Sequence, residues 1–470
     1  MRKLLKVMAL GAIATTATLS LTSCGGGDDA KTIVFYNTMG ENLQTTLKTA
    51  IETFEAKYPG WKVESTQVGG YDEVRDAIIG DLQAGTQPDL AYCYADHVAQ
   101  YITTSTVVDM NKYINSTDTI DTEIDGETVK VNVGYSAEEI ADFVPGYYNE
   151  GLATNYANYA AYGYEANAMF TLPYVKSTEV LYYNIDALKG INYVDADGNV
   201  KVPQTWDELW DVCEQLLVKY PNCTPLGYDS EANWFITMCE QNGWGYTNAS
   251  DPHFAFNNEN TKAWLEDLND KYEAGLFTTQ EIYGTYTSNL FTKWEDENGK
   301  QVGSALCIGS SGGASHQSSD DFEWGVAPIP GVKQADGSIN NKAISQGPNL
   351  VMFETEGEGA SEKELMTWMF VKEILEPTFL CSFSMSSGYN PPRQSAFDIP
   401  AYETFLEDDE NIIAVTAGVA KTMNERFFTS PAFVGSSTAR DQVGVALVYA
   451  ATGQKTAAKA LSDAADKCGA

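Results

Sequence analysis

Strand and helix signals alternate along the first third of the sequence. Runs of β-branched and aromatic residues at 32–36 and 88–94, and an alternating run at 61–68, have the composition of strands. Between these runs, apolar residues recur at helical spacing over 43–58 and 74–82. A chain that alternates strands and helices forms a mainly parallel sheet covered by helices. We therefore predict an α/β fold.

The same pattern predicts where a ligand would bind. In sheets of this kind, ligands bind beyond the carboxyl ends of the strands. The polar stretches at 37–40, 70–71 and 94–97 follow the predicted strands or begin a helix, so we expect them along one rim. The second half of the sequence repeats the theme, because Thr205 and Glu208 form the capping-box pattern of a helix start.

Composition limits the possible functions. The 470 residues are enough for two domains of ordinary size. The 65 acidic side chains against 29 basic ones repel phosphate backbones and anionic lipids, so nucleic-acid binding is not expected. The 27 Tyr and 9 Trp residues combine a flat apolar face with a polar tip, which suits amphipathic ligands such as sugars.

The N-terminus resembles the signal of a bacterial lipoprotein. Basic residues precede an apolar stretch at 7–21, and Leu-Thr-Ser-Cys follows it. The apolar stretch is too short and too rich in Thr to span a bilayer well. The resemblance implies a signal peptide at 1–23, a diacylated Cys24, and a flexible tether within 24–30. We expect an extracytoplasmic protein, anchored by lipid to the outer face of the cell membrane or held in the periplasm.

Seven further cysteines remain, an odd number that cannot pair fully within one chain. The compartment permits disulfides, but no Cys-x-x-Cys pair exists. We expect mostly free, buried thiols, and Cys213, Cys223 and Cys239 are the best candidates for a bridge.

Residues 195–199 read Asp-Ala-Asp-Gly-Asn, like the start of a calcium-binding loop. Val200 stands where such a loop needs Gly, and Trp206 where it needs Glu, so we predict a turn instead. The three histidines have no metal-ligand spacing, and no Gly-rich phosphate loop precedes a helix. No cofactor and no metal is expected.

An ordered set of short motifs resembles the extracellular solute-binding proteins of family 1, which serve ABC importers of sugars and of glycerol-3-phosphate. Examples are FYNTMGENLQ, LPYVKSTEVLYYN, WGVAPIPG and SGYNPP, and the full set covers nearly all of the mature chain. The resemblance implies two α/β lobes in the type II, maltose-binding-protein-like arrangement of periplasmic binding proteins. It also implies a hinge that the chain crosses three times, and closure of that hinge around a ligand.

The resemblance further implies boundaries and partners. Lobe 1 is expected at 31–175 and 307–350, and lobe 2 at 176–306 and 351–470. The three crossings are expected at 176–179, 302–308 and 349–353. We expect a monomer that delivers its ligand to the permease subunits of an ABC importer.

The same motifs carry the ligand-binding residues that the resemblance implies. These are Asn37, Thr38, Tyr71, Tyr94, Asp96, Ser177, Glu179, Trp234, Trp244, Ser310, Ser311, Gln346, Gly347 and Tyr389. The polar residues of the first crossing are expected to face the cleft. Trp234 is expected to stack on the ligand, and Trp244 is a second candidate for that role.

One departure from the family pattern bears on the ligand. Glycerol-3-phosphate binders of this family carry an Arg for the phosphate, but this chain has Ala432 or Phe433 at the nearest counterpart. Arg440 and Arg393 are out of register with that position. An anion needs charge-assisted donors to offset its desolvation. We therefore predict a carbohydrate ligand that is uncharged, with glycerol-3-phosphate or another small solute as the alternative.

An enzyme is a third possibility. The stretch 309–313 satisfies Gly-x-Ser-x-Gly, but the only His after Ser311 is His316, with no acid between them. A serine hydrolase is therefore not expected. A glycosidase needs only two suitably placed carboxylates, and 65 acidic residues offer many pairs, so the sequence leaves this alternative open.

Overall fold

The computed structural model describes residues 29–293 and 303–469. The strands are β1 (Thr32–Asn37), β2 (Lys62–Gln67), β3 (Leu90–Cys93), β4 (Thr119–Ile124), β5 (Glu127–Asn132), β6 (Thr171–Pro173), β7 (Glu179–Asn184), β8 (Leu226–Tyr228), β9 (Phe277–Thr279), β10 (Leu306–Ser310), β11 (Trp324–Pro328), β12 (Val332–Lys333), β13 (Ile339–Asn340), β14 (Ala343–Ile344), β15 (Asn349–Met352) and β16 (Phe427–Phe428). The α-helices are α1 (Glu41–Lys57), α2 (Tyr71–Ala84), α3 (Ala95–Tyr101), α4 (Asn111–Ile114), α5 (Ala137–Ala141), α6 (Pro145–Asn149), α7 (Ile185–Gly190), α8 (Trp206–Lys219), α9 (Glu231–Asn242), α10 (Glu259–Glu273), α11 (Gln280–Tyr283), α12 (Ser288–Phe291), α13 (Ala360–Ile374), α14 (Pro377–Ser387), α15 (Pro400–Leu406), α16 (Ile412–Thr422), α17 (Ser436–Ala451) and α18 (Ala457–Cys468).

The first five-stranded sheet has the order β2-β1-β3-β15-β6 and forms the centre of lobe 1. The pairs β1–β2 and β1–β3 are parallel, as the alternating pattern predicts, whereas β15 runs antiparallel to both of its neighbours. On one face, Phe35 packs with Phe54 of α1 and Phe370 of α13. On the other face, Val74 and Ile78 of α2 are fully buried. The sheet is therefore covered on both faces.

The second five-stranded sheet has the order β11-β7-β10-β8-β9 and forms the centre of lobe 2. Strand β8 is parallel to β9 and β10, and β7 is antiparallel to β10 and β11. Its core includes residues of α8, α9, α10, α17 and α18. Thr205 caps α8 by accepting a hydrogen bond from the backbone N–H of Glu208, as predicted. The α/β fold with two lobes is therefore confirmed.

The chain passes between the two sheets three times. The first crossing, between β6 and β7, overlaps the predicted segment 176–179. The second lies between β14 and β15 rather than at 302–308, since β10 and β11 both belong to the second sheet. The third lies between α14, which packs on lobe 1, and α16, which packs on lobe 2, rather than at 349–353.

These passages correct the expected lobe boundaries. Residues 307–344 were expected in lobe 1 but lie in lobe 2, because β10 and β11 pair with β7. Residues 351–387 were expected in lobe 2 but lie in lobe 1, where Trp368 and Phe383 are buried in the core. The local pattern of a strand or helix does not show which sheet it joins, and this is why the expectation was wrong.

The structure also bears on the predicted disulfide and on the predicted turn at 195–199. The seven cysteines of the described residues are all free, so the predicted bridge among Cys213, Cys223 and Cys239 is wrong. At 195–199 the carboxylate of Asp195 accepts the backbone N–H groups of Asp197 and Asn199, which is the predicted turn. The predicted signal peptide and Cys24 lie outside the described residues. Within the described part of the chain, the helices are too short or too polar to cross a bilayer.

Candidate ligand-binding cleft

The crossings form a narrow hydrogen-bonded hinge. The backbones of Ser177 and Gln346 exchange hydrogen bonds of 2.9 and 2.8 Å, and those of Lys176 and Asn390 exchange bonds of 2.9 and 2.6 Å. Gly347 has a φ of 89°, and a Cβ there would lie 2.3 Å from the carbonyl oxygen of Val175. A side chain at this position would therefore push the first and second crossings apart.

A buried ion pair lies beside the hinge. Lys176 is 1% exposed, and its Nζ donates to Glu150 Oε2 over 2.6 Å. The same ammonium lies 3.3 Å from Asn349 Oδ1 and 3.4 Å from the carbonyl oxygen of Gly347. Because all of these partners are acceptors, the charge of Lys176 is compensated within lobe 1 and the hinge.

Two cavities lie against the hinge, and Gln346 lines both of them. The cavity that we call the larger chamber has a volume of about 660 Å³ and is built mostly from lobe 2. The smaller chamber, of about 70 Å³, lies between the lobes. Tyr94, Asp96 and Glu150 of lobe 1 line it opposite Arg440 of lobe 2.

Glu179, the first residue of β7, is the central carboxylate of the larger chamber. It is 1% exposed, and its Oε2 accepts a hydrogen bond of 2.6 Å from the Tyr228 hydroxyl. Burial raises its pKa to about 7, against the opposing effects of hydrogen bonds from Tyr228 and Asn233 and the positive charge of Arg440. Nearby Asp229 raises the pKa further by charge repulsion. Glu179 therefore titrates near neutral pH.

A chain of polar contacts connects the two chambers. Arg440, on α17, donates through Nη2 to Asn233 Oδ1, on α9. The Asn233 side chain is in turn hydrogen-bonded to Glu179. The guanidinium thus occupies the amide oxygen of Asn233, and leaves the amide NH₂ to face the carboxylate.

Asp229 follows β8 at the carboxyl edge of the second sheet and lines the larger chamber. Its Oδ1 accepts from the backbone N–H of Thr287 over 2.5 Å and from the Thr287 hydroxyl over 2.7 Å. Burial is the largest cause of the raised pKa of Asp229, and these hydrogen bonds oppose it.

Tyrosines form the lobe 1 side of the cleft. The rings of Tyr71 and Tyr94 lie 4.4 Å apart, and the Tyr71 hydroxyl is hydrogen-bonded to Thr38 and Tyr389. Burial raises the pKa of Tyr71 well above its ordinary value, so this phenol stays protonated. Tyr389 also packs against Gly312, where a Cβ would lie 2.6 Å from the ring. Tyr389 therefore connects Tyr71 of lobe 1 to the wall of the larger chamber.

Comparison with known proteins agrees with this geometry. The profile of the family described as bacterial extracellular solute-binding protein matches residues 49–411. The chain belongs to this family.

Individual relatives of this solute-binding protein are distant. The sn-glycerol-3-phosphate-binding periplasmic protein UgpB of Escherichia coli K12 is 24% identical over 460 residues, which cover 97% of this chain and 95% of the relative. The structure of UgpB from Mycobacterium tuberculosis in complex with glycerophosphocholine matches with a TM-score of 0.70 and 18% identity, covering 93% of this chain and 97% of that one. The GacH receptor of Streptomyces glaucescens, solved without ligand and with acarbose, has a TM-score of 0.67 and 16% identity, covering 93% and 96%. At these identities the structural matches show the fold.

The structure of this solute-binding protein brings together several of the residues predicted from sequence. Tyr94 and Asp96 line the smaller chamber, and Glu179, Ser310 and Tyr389 line the larger one. Gln346 lines both, Tyr71 is hydrogen-bonded to Tyr389 of the larger chamber, and Thr38 is hydrogen-bonded to Tyr71.

Other predicted residues have structural positions instead. Ser177 and Gly347 hold the hinge through backbone contacts, and the Ser311 hydroxyl is buried and accepts a hydrogen bond from the backbone N–H of Thr178. The amide of Asn37 is fully buried, where it contacts Ser65, Met39 and Gln44. None of these four residues lines either chamber.

The predicted stacking role of Trp234 is contradicted. Its indole is 1% exposed, and the Tyr228 ring is stacked on it at 4.6 Å with an interplanar angle of 7°. Trp244 also lies outside both chambers, where it packs with Trp264 against the lobe 2 core. Trp234 faces inward because the apolar stripe of α9 packs against the second sheet, and Trp244, just after α9, is partly buried against the same core.

Several cleft residues were missed by the sequence analysis. They are Glu150, Asp229, Asn233, Tyr246, Tyr286, Gln317 and Arg440. Asp229 carried a usable signal, since it follows a strand at the carboxyl edge just as the predicted rim residues of lobe 1 do. Arg440 was noted but set aside because it is out of register with the family position.

Proposed function

We propose that this protein is a lipid-anchored extracellular receptor that captures a carbohydrate by hinge closure and delivers it, as a monomer, to the permease of an ABC importer. The observation that carries the proposal is a polar cleft with walls from both lobes, beside a hinge of three crossing segments. The family membership supports the importer, and the sequence Leu-Thr-Ser-Cys at 21–24, with Cys24 directly after the predicted signal peptide, supports the anchor.

The lining of the larger chamber supports a carbohydrate. Carboxylates, amides and hydroxyls surround a space of about 660 Å³, which suits one or two sugar rings. Tyr286, which is 59% exposed, and Tyr389 present aromatic rings there. Groups of this kind bind hydroxyls and the apolar faces of sugar rings.

Closure follows from the distribution of contacts. A ligand shifts the open–closed equilibrium only if it binds the closed form more tightly. A sugar in the larger chamber contacts lobe 2 directly and reaches lobe 1 through Gln346 and Tyr389. Such a ligand adds contacts when the lobes meet, so it favours the closed form that a permease would recognise.

A glycerophosphate ligand is the second candidate, and Arg440 is the observation that favours it. Its guanidinium lines the smaller chamber, where it would donate to a phosphate oxygen. The neighbouring Asp96 and Glu150 oppose an anion there, although Lys176 already neutralises Glu150. Because UgpB relatives are named as binders of sn-glycerol-3-phosphate, the test below includes this class of ligand.

The test is a panel of neutral oligosaccharides, glycerol-3-phosphate and glycerophosphodiesters, read as thermal shifts on the mature chain. We expect a sugar, and not a phosphate ester, to raise the melting temperature and to compact the protein in X-ray scattering. Gln346→Ala should reduce the affinity for the sugar at least tenfold, whereas Val218→Ala, at an 83% exposed position, should leave this affinity unchanged. Shifts by phosphates alone would favour the second candidate, and release of products from an oligosaccharide over time would identify a glycosidase.

A further inference from the structure

The larger chamber has an unbalanced charge. Two carboxylates, Glu179 and Asp229, line it, and its lining within the described residues includes no Lys or Arg. The nearest guanidinium with an effect on Glu179 is Arg440, which lines the other chamber and donates to Asn233. The described lining therefore has two carboxylates and no Lys or Arg, and His316 is its only basic side chain.

The partners of these carboxylates are neutral. Glu179 accepts from the Tyr228 phenol, and Asp229 accepts from the backbone and hydroxyl of Thr287. Burial raises the pKa of both groups, because the neutral hydrogen-bond donors only partly offset the desolvation of the ionised carboxylates. A cationic ligand would supply the missing compensation.

A third acceptor lines the same chamber. Gln317 is 2% exposed, and its Oε1 has no hydrogen-bond partner among the described residues. A buried amide oxygen without a donor is costly. The chamber thus has acceptors to spare, and the rings of Tyr286 and Tyr389 present faces that attract cations.

We propose that the ligand of the larger chamber is an amino sugar, or a carbohydrate with one protonated amino group placed between Glu179 and Asp229. The inference rests on the proposed function, because it adds a charge to the carbohydrate assigned there. An ammonium group donates three hydrogen bonds and meets the carboxylates, whereas a hydroxyl at the same ring position donates one.

The test uses matched sets of mono- and disaccharides that differ at one ring position: hydroxyl, free amine or N-acetyl amine, in the gluco and galacto series. Affinities are measured calorimetrically on the mature chain at pH 7.5. We expect the free amine to bind at least tenfold more tightly than its two neutral partners, and the advantage to shrink as salt is added. Equal affinities within every set would contradict the proposal of a protonated amino group and leave the proposal of a carbohydrate ligand unchanged. Absence of binding in every set would overturn both proposals.

A matched pair of variants locates the effect. Asp229→Asn keeps an oxygen that can accept from Thr287 but removes the charge, so it should abolish most of the amine preference. Asp211→Asn removes an exposed charge from α8, outside both chambers, and should leave the preference intact. An amine preference that survives Asp229→Asn would overturn the placement, provided that the variant melts within a few degrees of the parent.

Discussion

The two lobes use the polar residues at their strand ends in different ways. In lobe 1, Asn37 at the end of β1 makes all of its side-chain contacts inside the lobe. In lobe 2, Asp229 after β8 and Glu179 at the start of β7 line the larger chamber. The polar residue at the end of β1 is therefore structural, whereas those at the ends of β7 and β8 face the cleft.

The difference suggests a division of labour between the lobes. Lobe 2 supplies most of the polar groups that would bind a ligand, whereas lobe 1 supplies a tyrosine wall at Tyr71 and Tyr94 that closes the cleft. A rim position predicted from topology alone is not enough to identify a binding residue. Whether the side chain has free hydrogen-bonding capacity decides it.

The largest expected effect comes from the lobe 2 core. Trp234→Ala should destabilise the protein by about 3–5 kcal/mol, because it leaves a cavity beside Tyr228 and Trp206. Denaturant unfolding measures this loss. Trp244→Ala, at a partly exposed position, is the matched control and should cost much less. If Trp234→Ala weakened ligand binding and left stability unchanged, the indole would belong to the site after all.

The second-largest effect concerns Asn37, the buried residue at the end of β1. Asn37→Ala should destabilise the protein by about 2 kcal/mol, because it leaves the buried N–H of Met39 and the side chain of Gln44 without their acceptor. Ligand affinity at native temperature should stay within twofold of the parent, as measured by calorimetry. A large loss of affinity with unchanged unfolding would place Asn37 in the site and remove the contrast between the lobes.

The sequence predicted much of lobe 1 and less of the cleft. Strands β1 to β3 were evident because their apolar runs alternate with amphipathic helices. The lobe boundaries failed because β10 and β15 have similar apolar runs but join different sheets. Trp234 was misplaced since an aromatic residue on a helix can face the core or the ligand, and only packing distinguishes the two. Local patterns specify elements, but the site depends on how distant elements meet.

A smaller effect concerns pH. The pKa of Glu179 is raised from an ordinary 4.5 to about 7 by burial, so the folded state favours the protonated carboxyl. Its contribution to stability is greatest below pH 4.5, declines as pH rises toward 7, and levels off above that value. Glu179→Gln should flatten this part of the curve of melting temperature against pH between 5 and 8. Glu52→Gln, on the exposed face of α1, is the control and should leave the slope unchanged. A parent curve with no decline over this range would contradict the assignment.

The smallest effect tests whether Arg440 acts on the ionisation of Glu179 in lobe 2. Its positive charge lowers the pKa of Glu179, and its bond to Asn233 orients the amide toward the same carboxylate. Arg440→Gln should therefore raise the pKa of Glu179 and move the midpoint of the pH-dependent stability change upward by about half a pH unit. Arg440→Lys keeps a positive donor at this position and should restore most of the shift. A packing role alone would lower the melting temperature at every pH without moving the midpoint, so an unmoved midpoint in Arg440→Gln would show that the guanidinium does not act on Glu179.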